Sequence, residues 1–343
     1  MDPRSAVPGC AGTSTGPADT RPRIHGLDRL KAVAIVTVIW IHGFHTFVFW
    51  RSVYEQWSHI VTIWAVPAFF FASGWLHARD TRYPPGTMAR WLRRLGIPYV
   101  IATLYLTILD AWLSGVPVSL PGLARDLVLG RGIYYFVPVL VFTMIATMPL
   151  ARSRRAAWIV WALLAPYLFM RARYDPVIWL FGRSWDVILR SPFRWAPYFL
   201  TGWVGALLGP ATFVRARPVI ARTAPVVWLI AIVVVGVGFS GVNAAYWPPW
   251  ADAVFGVTIL AAIATCLCAS EKPAGTIVRW LSDATYPIYL YHISFIAIFS
   301  RLLRPQTDLQ HVELALSTLL ATIAFIVAVR RVLGAQRAQT LIG

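Results

Sequence analysis

Residues 30–50 read LKAVAIVTVIWIHGFHTFVFW, and this stretch decides the class of fold. Its 21 residues contain one lysine and two histidines but no Asp, Glu or Arg. At 1.5 Å per residue, a helix of this length spans about 30 Å, the thickness of the hydrocarbon core of a bilayer. A helix of a soluble protein would instead carry one apolar stripe beside a polar face. The stretch therefore predicts a membrane-spanning helix.

Nine further apolar blocks follow it along the chain. Hydrophobic residues make up 58% of the sequence and charged residues only 13%, whereas a soluble domain carries about 25% charged residues. The mean hydropathy is +0.63. We therefore predict an all-α, polytopic membrane protein of about ten transmembrane helices. The predicted blocks are 30–50, 59–77, 95–113, 133–150, 156–170, 195–210, 224–241, 251–269, 285–303 and 312–329.

The basic residues indicate how the chain lies in the membrane. With the N-terminus in the cytoplasm and ten crossings, 21 of the 31 Lys and Arg residues fall in cytoplasmic segments, as the positive-inside rule favours. Both termini are then cytoplasmic. The net charge of +17 lies mostly in short loops rather than on one surface. This distribution favours contact with the lipid bilayer and argues against a nucleic-acid partner.

The chain divides into one long membrane unit and two short tails. Residues 1–23 are rich in Pro, Gly, Ser and Thr and contain no apolar run, so we expect a disordered cytoplasmic tail. Residues 24–335 form a single predicted transmembrane domain, and 336–343 form a short cytoplasmic tail. The outer loop at about 171–194 holds five arginines. It either folds over an external opening or lies at the membrane interface.

Ionisable groups in the first block point to a functional site, because charges inside a membrane are costly and usually serve a purpose. Lys31 and His42 are eleven residues apart, about 20° beyond three full helical turns. They therefore share a helix face, about 16 Å apart along the axis. Asp28 and His45 lie within about 40° of that face. The structural alternative is that Lys31 is an interfacial anchor and His42 a packing histidine.

Two polar groups flank the connection between the second and third blocks. Ser73 and Gly74 lie among aromatic residues, where a pair of small residues allows close helix approach. Arg90, Arg93 and Arg94 occupy positions i, i+3 and i+4, so they share a helix face. Their guanidinium groups can converge on one anion such as phosphate. The same arginines would also serve as cytoplasmic anchors without any ligand.

The ninth block contains a second set of polar residues. Tyr286, Tyr289 and His292 recur every three residues and follow one side of the predicted helix. His292 lies inside the apolar span, where an ionisable group suggests function. The tyrosines are equally typical of aromatic residues at a membrane interface.

Two other patterns carry no function. Cys266 and Cys268 are two residues apart and point to different faces of a helix, so we predict no metal site. Residues 236–241 fit the dinucleotide fingerprint G-x-G-x-x-G. The match lies at the end of a membrane block without the required strand and helix around it.

Four motifs, in order along the chain, resemble those of the acyltransferase family 3 membrane proteins. These are bacterial O-acyltransferases that modify cell-surface and secreted glycans. The resemblance covers about residues 24–300. The motifs are Leu27-Asp28-x-Leu30-Lys31-x10-His42, Val66-Pro67-x-Phe69-Phe70-x-x-Ser73-Gly74, Arg90-x-x-Arg93 leading to Pro98-Tyr99, and Tyr286-Pro287-Ile288-Tyr289-Leu290-x-His292.

The resemblance implies roles for particular residues. His42 would be the essential histidine of the family, and Arg90 and Arg93 would help to hold acyl-CoA. The family accepts Arg or Lys at the first motif position, which here is Lys31. Asp28 is also an expected site residue, which would either orient Lys31 or pair with Arg29. Arg94 and Ser73 are expected at the donor site. Tyr289, His292 and His45 are secondary candidates.

We therefore expect a membrane O-acyltransferase of the bacterial plasma membrane. It would move an acyl group, acetyl by default, from cytoplasmic acyl-CoA to a hydroxyl of a sugar, glycan or glycolipid acceptor, without a metal. His42 would act as a general base or carry the acyl group in a relay. The alternative is a transporter or flippase of polyprenyl-linked sugars, in which the buried His and Lys would relay protons. The oligomeric state stays open.

Overall fold

In the computed structural model, helices are the regular secondary structure of the described residues, and no strand occurs among them. The described residues are 23–44, 62, 64–79, 86–169, 175–181, 185–239, 249–268 and 272–343. The α-helices are, in chain order, α1 (His25–Phe44), α2 (Ala65–Arg79), α3 (Thr87–Ser114), α4 (Leu120–Leu129), α5 (Phe136–Thr147), α6 (Arg154–Leu164), α7 (Pro176–Phe181), α8 (Trp185–Arg190), α9 (Pro192–Leu208), α10 (Pro210–Phe239), α11 (Pro249–Cys268), α12 (Thr276–Asp283), α13 (Thr285–Leu303), α14 (Asp308–Leu333) and α15 (Ala335–Leu341). Short 3-10 segments cover Gly132–Tyr135, Met148–Arg152 and Ala165–Leu168.

Each of the ten predicted apolar blocks overlaps a helix, which confirms the all-α class. Within the described ranges, four helical stretches are long and apolar enough to cross a membrane, and a fifth apolar helix is shorter. The count of ten crossings and the cytoplasmic termini stay predictions. The four stretches are Met88–Ser114, Gly132–Arg152, Thr285–Leu303 and Asp308–Leu333, and the shorter helix is Ala253–Cys268.

Local side-chain chemistry sets the ends of several helices. At the start of α14, the Thr307 hydroxyl accepts the backbone N–H of Gln310, and the Gln310 side chain accepts the backbone N–H of Thr307. This reciprocal capping box satisfies two N–H groups that a helix start leaves without partners. Gly334, at φ 76°, then ends α14, because a glycine adopts this backbone conformation without steric cost. Residues 336–343, expected as a tail, are helical through Leu341.

The central contact of the bundle joins α2 to α9 through a reciprocal pair of glycines. A Cβ on Gly74 would overlap the carbonyl oxygen of Phe199, and a Cβ on Gly202 would overlap that of Phe71. The two backbones therefore touch, as the small residue beside Ser73 predicted. Buried aromatic rings surround this contact, and Phe70 stacks on Trp195 at 5.3 Å between ring centroids.

Substituting Gly74 or Gly202 by Ala should destabilise the fold. The added methyl must force α2 and α9 apart, and overpacking of this kind costs about 1–3 kcal/mol. Thermal unfolding of the detergent-solubilised protein measures the effect. Gly96→Ala is the matched control, because a Cβ at Gly96 meets no atom within 4 Å. A Gly74→Ala protein that unfolds at the same temperature as the Gly96→Ala protein would contradict the close approach.

Candidate functional site

A hydrogen-bonded carboxylate joins the start of α1 to the end of α12. Asp28 accepts the Nε–H of Arg23 at 2.6 Å, an N–H of the other guanidinium arm at 3.1 Å, and the Ser282 hydroxyl at 2.7 Å. Arg23 also donates to Asp283 at 2.8 Å. Asp28 is buried. Its hydrogen bonds therefore come from Arg23 and Ser282, while Arg29 donates to the backbone carbonyls of Lys272 and Pro273.

The environment of Asp28 keeps this carboxyl ionised. Burial raises the pKa of Asp28, but the hydrogen bonds from Arg23 and Ser282 outweigh burial, and the pKa lies below its ordinary value of 3.8. Such a carboxylate stabilises the folded state at neutral pH. Its contacts indicate a structural junction, and its expected influence on Lys31 is electrostatic, since the two charges attract each other.

Lys31 interacts electrostatically both with this junction and with one arginine of the predicted donor site. The residue is half-buried, and its ammonium group is attracted by Asp28 and Asp283 and repelled by Arg23 and Arg94. The structure therefore brings Lys31 within electrostatic range of the arginine cluster on α3. Lysine and arginine charges that act on each other in this way can share a polyanionic ligand.

The arginine cluster occupies the first turns of α3. Arg90, Arg93 and Arg94 are all exposed, and the continuous helix from Thr87 places them on neighbouring turns, as their spacing predicted. Trp91, on the same turn, packs its ring against His77 of α2 at 4.5 Å between centroids. This aromatic contact holds the first turns of α3 against α2 beneath the exposed arginines.

Ser73 lies on α2, next to the glycine that touches α9, and is half-buried. The close helix approach fully accounts for Gly74. The role of Ser73 in donor binding stays a prediction.

The centre of the site is a pair of histidines from the two predicted motif helices. The rings of His42 on α1 and His292 on α13 lie 5.4 Å apart between centroids and are tilted by 37°. His292 is completely buried, and His42 is half-buried. The structure therefore brings together the first and last motifs, which are 250 residues apart in the sequence.

The two nitrogens of His292 have different surroundings. Nδ1 lies 2.7 Å from the carbonyl oxygen of Tyr289 and 3.1 Å from that of Ile288. A carbonyl only accepts hydrogen bonds, so Nδ1 carries the hydrogen and the neutral ring keeps its lone pair on Nε2. Nε2 is buried and has no hydrogen-bond partner among the described residues. An unpartnered buried acceptor is costly, which marks Nε2 as a position for a ligand or a proton.

Tyr289 holds the wall of this site in place. Its ring lies 5.9 Å from His292 and 5.2 Å from Phe136 between centroids. Its hydroxyl donates to the carbonyl of Ile133, and the Tyr134 hydroxyl donates to the carbonyl of Leu290. These crossed hydrogen bonds fix the segment before α5 against α13. Tyr289 therefore positions the backbone around His292, and its one hydroxyl hydrogen is engaged in doing so.

The segment between α4 and α5 is held from its other side by the predicted outer loop. Arg190, at the end of α8, donates to the backbone carbonyls of Leu129 and Gly130 at 3.1 and 2.9 Å. Arg131 forms ion pairs with Asp110 and Asp126. The described part of loop 171–194 therefore contacts the bundle through Arg190, and both interpretations of the loop stay predictions.

Sequence reasoning missed His311, at the start of α14. Its Nδ1 lies 3.2 Å from the carbonyl oxygen of Gly43, the residue after His42. A Cβ on Gly43 would come within 2.8 Å of the Ala315 Cβ, so α14 packs directly on the end of α1. The place of His311 in the first turn of an apolar helix could have marked it as a candidate. Its contact with the Gly43 carbonyl could not be predicted, because the two residues are far apart in the sequence. His45 lies outside the described residues.

Within the part of the chain that the structure describes, no group of three or more His, Cys, Asp or Glu side chains could hold a metal ion. The expectation of a metal-free reaction stays a prediction.

Comparison with known proteins gives one match. A family model described as an acyltransferase domain matches residues 24–331. This range contains all four motifs and both histidines of the pair. No curated protein and no solved structure matches the chain.

Acidification should remove the contribution of Asp28 to stability. Because the folded pKa is lowered, that contribution is complete above the ordinary pKa of 3.8 and is lost as pH falls through the folded value. Asp28→Asn should therefore be less stable than the wild type by about 1.5–3 kcal/mol at neutral pH. Its stability should also fall less steeply than that of the wild type as the pH is lowered. Unfolding temperatures between about pH 3 and pH 7 measure both effects.

Glu313→Gln is the control for this comparison, since it removes one exposed carboxylate from α14. It should keep the wild-type stability at neutral pH. An Asp28→Asn protein that matches the wild type across the whole pH range would show that the junction contributes nothing.

Proposed function

The chain belongs to acyltransferase family 3, and from this we propose that it moves an acyl group, acetyl by default, from cytoplasmic acyl-CoA to a hydroxyl of a sugar, glycan or glycolipid in the bacterial plasma membrane. The family establishes a membrane acyltransferase in general. The observation that carries the proposal further is the pairing of His42 with His292 inside the bundle, where Nε2 of His292 is buried without a hydrogen-bond partner.

The donor binds at the exposed arginines of α3. CoA carries about four negative charges, and arginine forks bind phosphate oxygens bidentately. Arg90 and Arg93 hold the phosphates, and Arg94 adds its charge. Lys31 on α1 adds a further positive charge on the side nearer the interior of the bundle. Because α1 is continuous from Lys31 to His42, the thioester reaches the histidine pair along about 16 Å of helix.

The proposed reaction transfers the acyl group directly from the sulfur of the thioester to the oxygen of the acceptor hydroxyl. His42 removes the proton of the acceptor hydroxyl while the oxygen attacks the thioester carbonyl carbon. The carbon–sulfur bond then breaks, and the CoA thiolate leaves and takes up the proton. The product is an O-acyl ester and free CoA.

His292 supports this step from the opposite helix. Its Nδ1–H is held by two backbone carbonyls, so the ring keeps one orientation and presents a lone pair at Nε2. That lone pair accepts a hydrogen bond from an N–H of His42, whose other nitrogen takes the proton of the acceptor hydroxyl. In a buried site such a contact is strong, because no water competes for it.

The donor and the reaction are tested with the purified wild type in detergent. Radiolabelled acetyl-CoA is offered with and without a panel of sugars and glycolipids, and release of CoA and label on the acceptor are measured. Label transfer that requires an acceptor is the expected result. Transfer of label to the protein itself, in the absence of acceptor, would contradict direct transfer and support an acyl-histidine relay.

Loss of either histidine should abolish turnover without loss of donor binding. We expect His42→Ala and His292→Ala to lower kcat by about 10²–10⁴-fold, the usual contribution of a general base. Acyl-CoA affinity, measured by isothermal titration, should stay at the wild-type level. Val33→Ala is the matched control, because Val33 lies on α1 between Lys31 and His42 with its side chain exposed. Turnover of His42→Ala at the Val33→Ala rate would exclude His42 from the chemistry.

Removing the guanidinium group of Arg90 or Arg93 should weaken binding of acyl-CoA and leave the rate of the chemical step unchanged. Arg90→Gln and Arg93→Gln are expected to raise the KM for acyl-CoA by about 10–100-fold, since a hydrogen bond to a charged group contributes about 1.5–3 kcal/mol. The kcat at saturating donor should change little. Arg279→Gln removes an exposed arginine from α12 and serves as the control. Equal KM increases in all three variants would indicate a diffuse charge effect and no donor site.

A further inference from the structure

An open cavity of about 420 Å³ lies between α10 and α11, and neither His42 nor His292 lines it. Two basic residues, Arg217 and Lys272, line it, together with apolar residues that include Ile220, Pro225 and Trp228. No carboxylate is present among the described residues that line it. The cavity therefore combines positive charge with an apolar wall.

The walls of the cavity are fixed by contacts between helices. The Cys268 thiol at the end of α11 donates to the backbone carbonyl of Phe213 on α10 at 3.1 Å. Arg29 of α1 donates to the carbonyls of Lys272 and Pro273 at 2.9 and 3.1 Å. The segment that carries Lys272 is thus tied to the first helix, and the cavity is part of the folded bundle.

A proline shapes the wall formed by α10. Pro225 has no N–H, so it cannot donate to the backbone carbonyl of Ala221 one turn earlier. Both residues line the cavity. The proline therefore removes one backbone hydrogen bond of α10 in the wall that also holds Arg217.

The cavity crosses the boundary between the charged and the apolar part of α10. Arg217 lies in the arginine-bearing part before the predicted apolar block at 224–241, and Trp228 lies about 16 Å further along the helix. Val226 and Leu229, which do not line the cavity, expose more than half of their surface on the same part of α10. A phospholipid has the same order of groups, with a phosphate at the membrane surface and acyl chains below it.

We propose that this cavity binds one anionic phospholipid, with the phosphate between Arg217 and Lys272 and an acyl chain along Ile220 and Trp228. A guanidinium group binds a phosphate bidentately and an ammonium adds a point charge. The site is independent of the acyl-transfer reaction, and it would anchor α10 and α11 in the leaflet that surrounds their basic ends.

The test measures retention of phospholipid by the purified full-length protein. Native mass spectrometry after titration with phosphatidylglycerol or phosphatidylcholine gives the apparent affinity for each lipid. The double variant Arg217→Gln/Lys272→Gln should bind phosphatidylglycerol about 30-fold more weakly, because each basic residue near the membrane surface contributes about 1 kcal/mol. Lys272→Arg, which keeps the charge, should retain wild-type affinity.

The matched control is Arg222→Gln/Arg279→Gln, which removes two exposed arginines that do not line the cavity. It should keep the preference for phosphatidylglycerol. Equal losses in the control and in the cavity variant would overturn the proposal, since binding would then depend on net charge alone. Inorganic phosphate should not displace the lipid at equal concentration, and displacement would show a phosphate site without a lipid requirement. Size-exclusion profiles and helical circular dichroism confirm that each variant is folded.

Discussion

The hydrogen bonds that Asp28 accepts from Arg23 and Ser282 set the register on which the site depends. They join the start of α1 to the end of α12, and α13 begins two residues after α12 ends. From this junction His42 lies fourteen residues along α1, about 21 Å, and His292 lies ten residues beyond Ser282, about 15 Å. Two helices that leave one junction in the same direction thus bring the two imidazoles together at 5.4 Å.

The rest of the bundle supports this geometry with contacts that suit a membrane protein. Polar groups in the interior of a membrane must be satisfied within the protein. Here Tyr134 and Tyr289 donate to carbonyls of the segments that face them, and the glycines of α2 and α9 allow backbone contact without cavities. At His292, one ring nitrogen is held by the backbone, while the other has no hydrogen-bond partner among the described residues. A ring held in one orientation with an available acceptor is expected of a preorganised catalytic site.

The sequence predicted those features that depend on local periodicity. The spacing of Lys31 and His42, the grouping of Arg90 with Arg93 and the small residue at Gly74 all follow from helix geometry, and each apolar block overlaps a helix. It could not predict partners that lie far apart in the chain. The ion pair of Arg23 with Asp28 was missed because Arg23 stood in a presumed tail, and the contacts of His311 with Gly43 and of Arg190 with Leu129 have no local pattern. The length of α10 was also missed, since its first half carries three arginines and reads as a loop.

The central claim is that His42 and His292 act as one catalytic unit, and a double-mutant cycle tests it most directly. The kcat for acyl transfer is measured for His42→Ala, His292→Ala and the protein that carries both substitutions, each checked for folding and for acyl-CoA affinity. Residues that act as a unit show strongly non-additive losses. We expect the double variant to be no slower than the slower single variant. Losses that multiply in the double variant would show that the two histidines act independently, and would contradict a shared site.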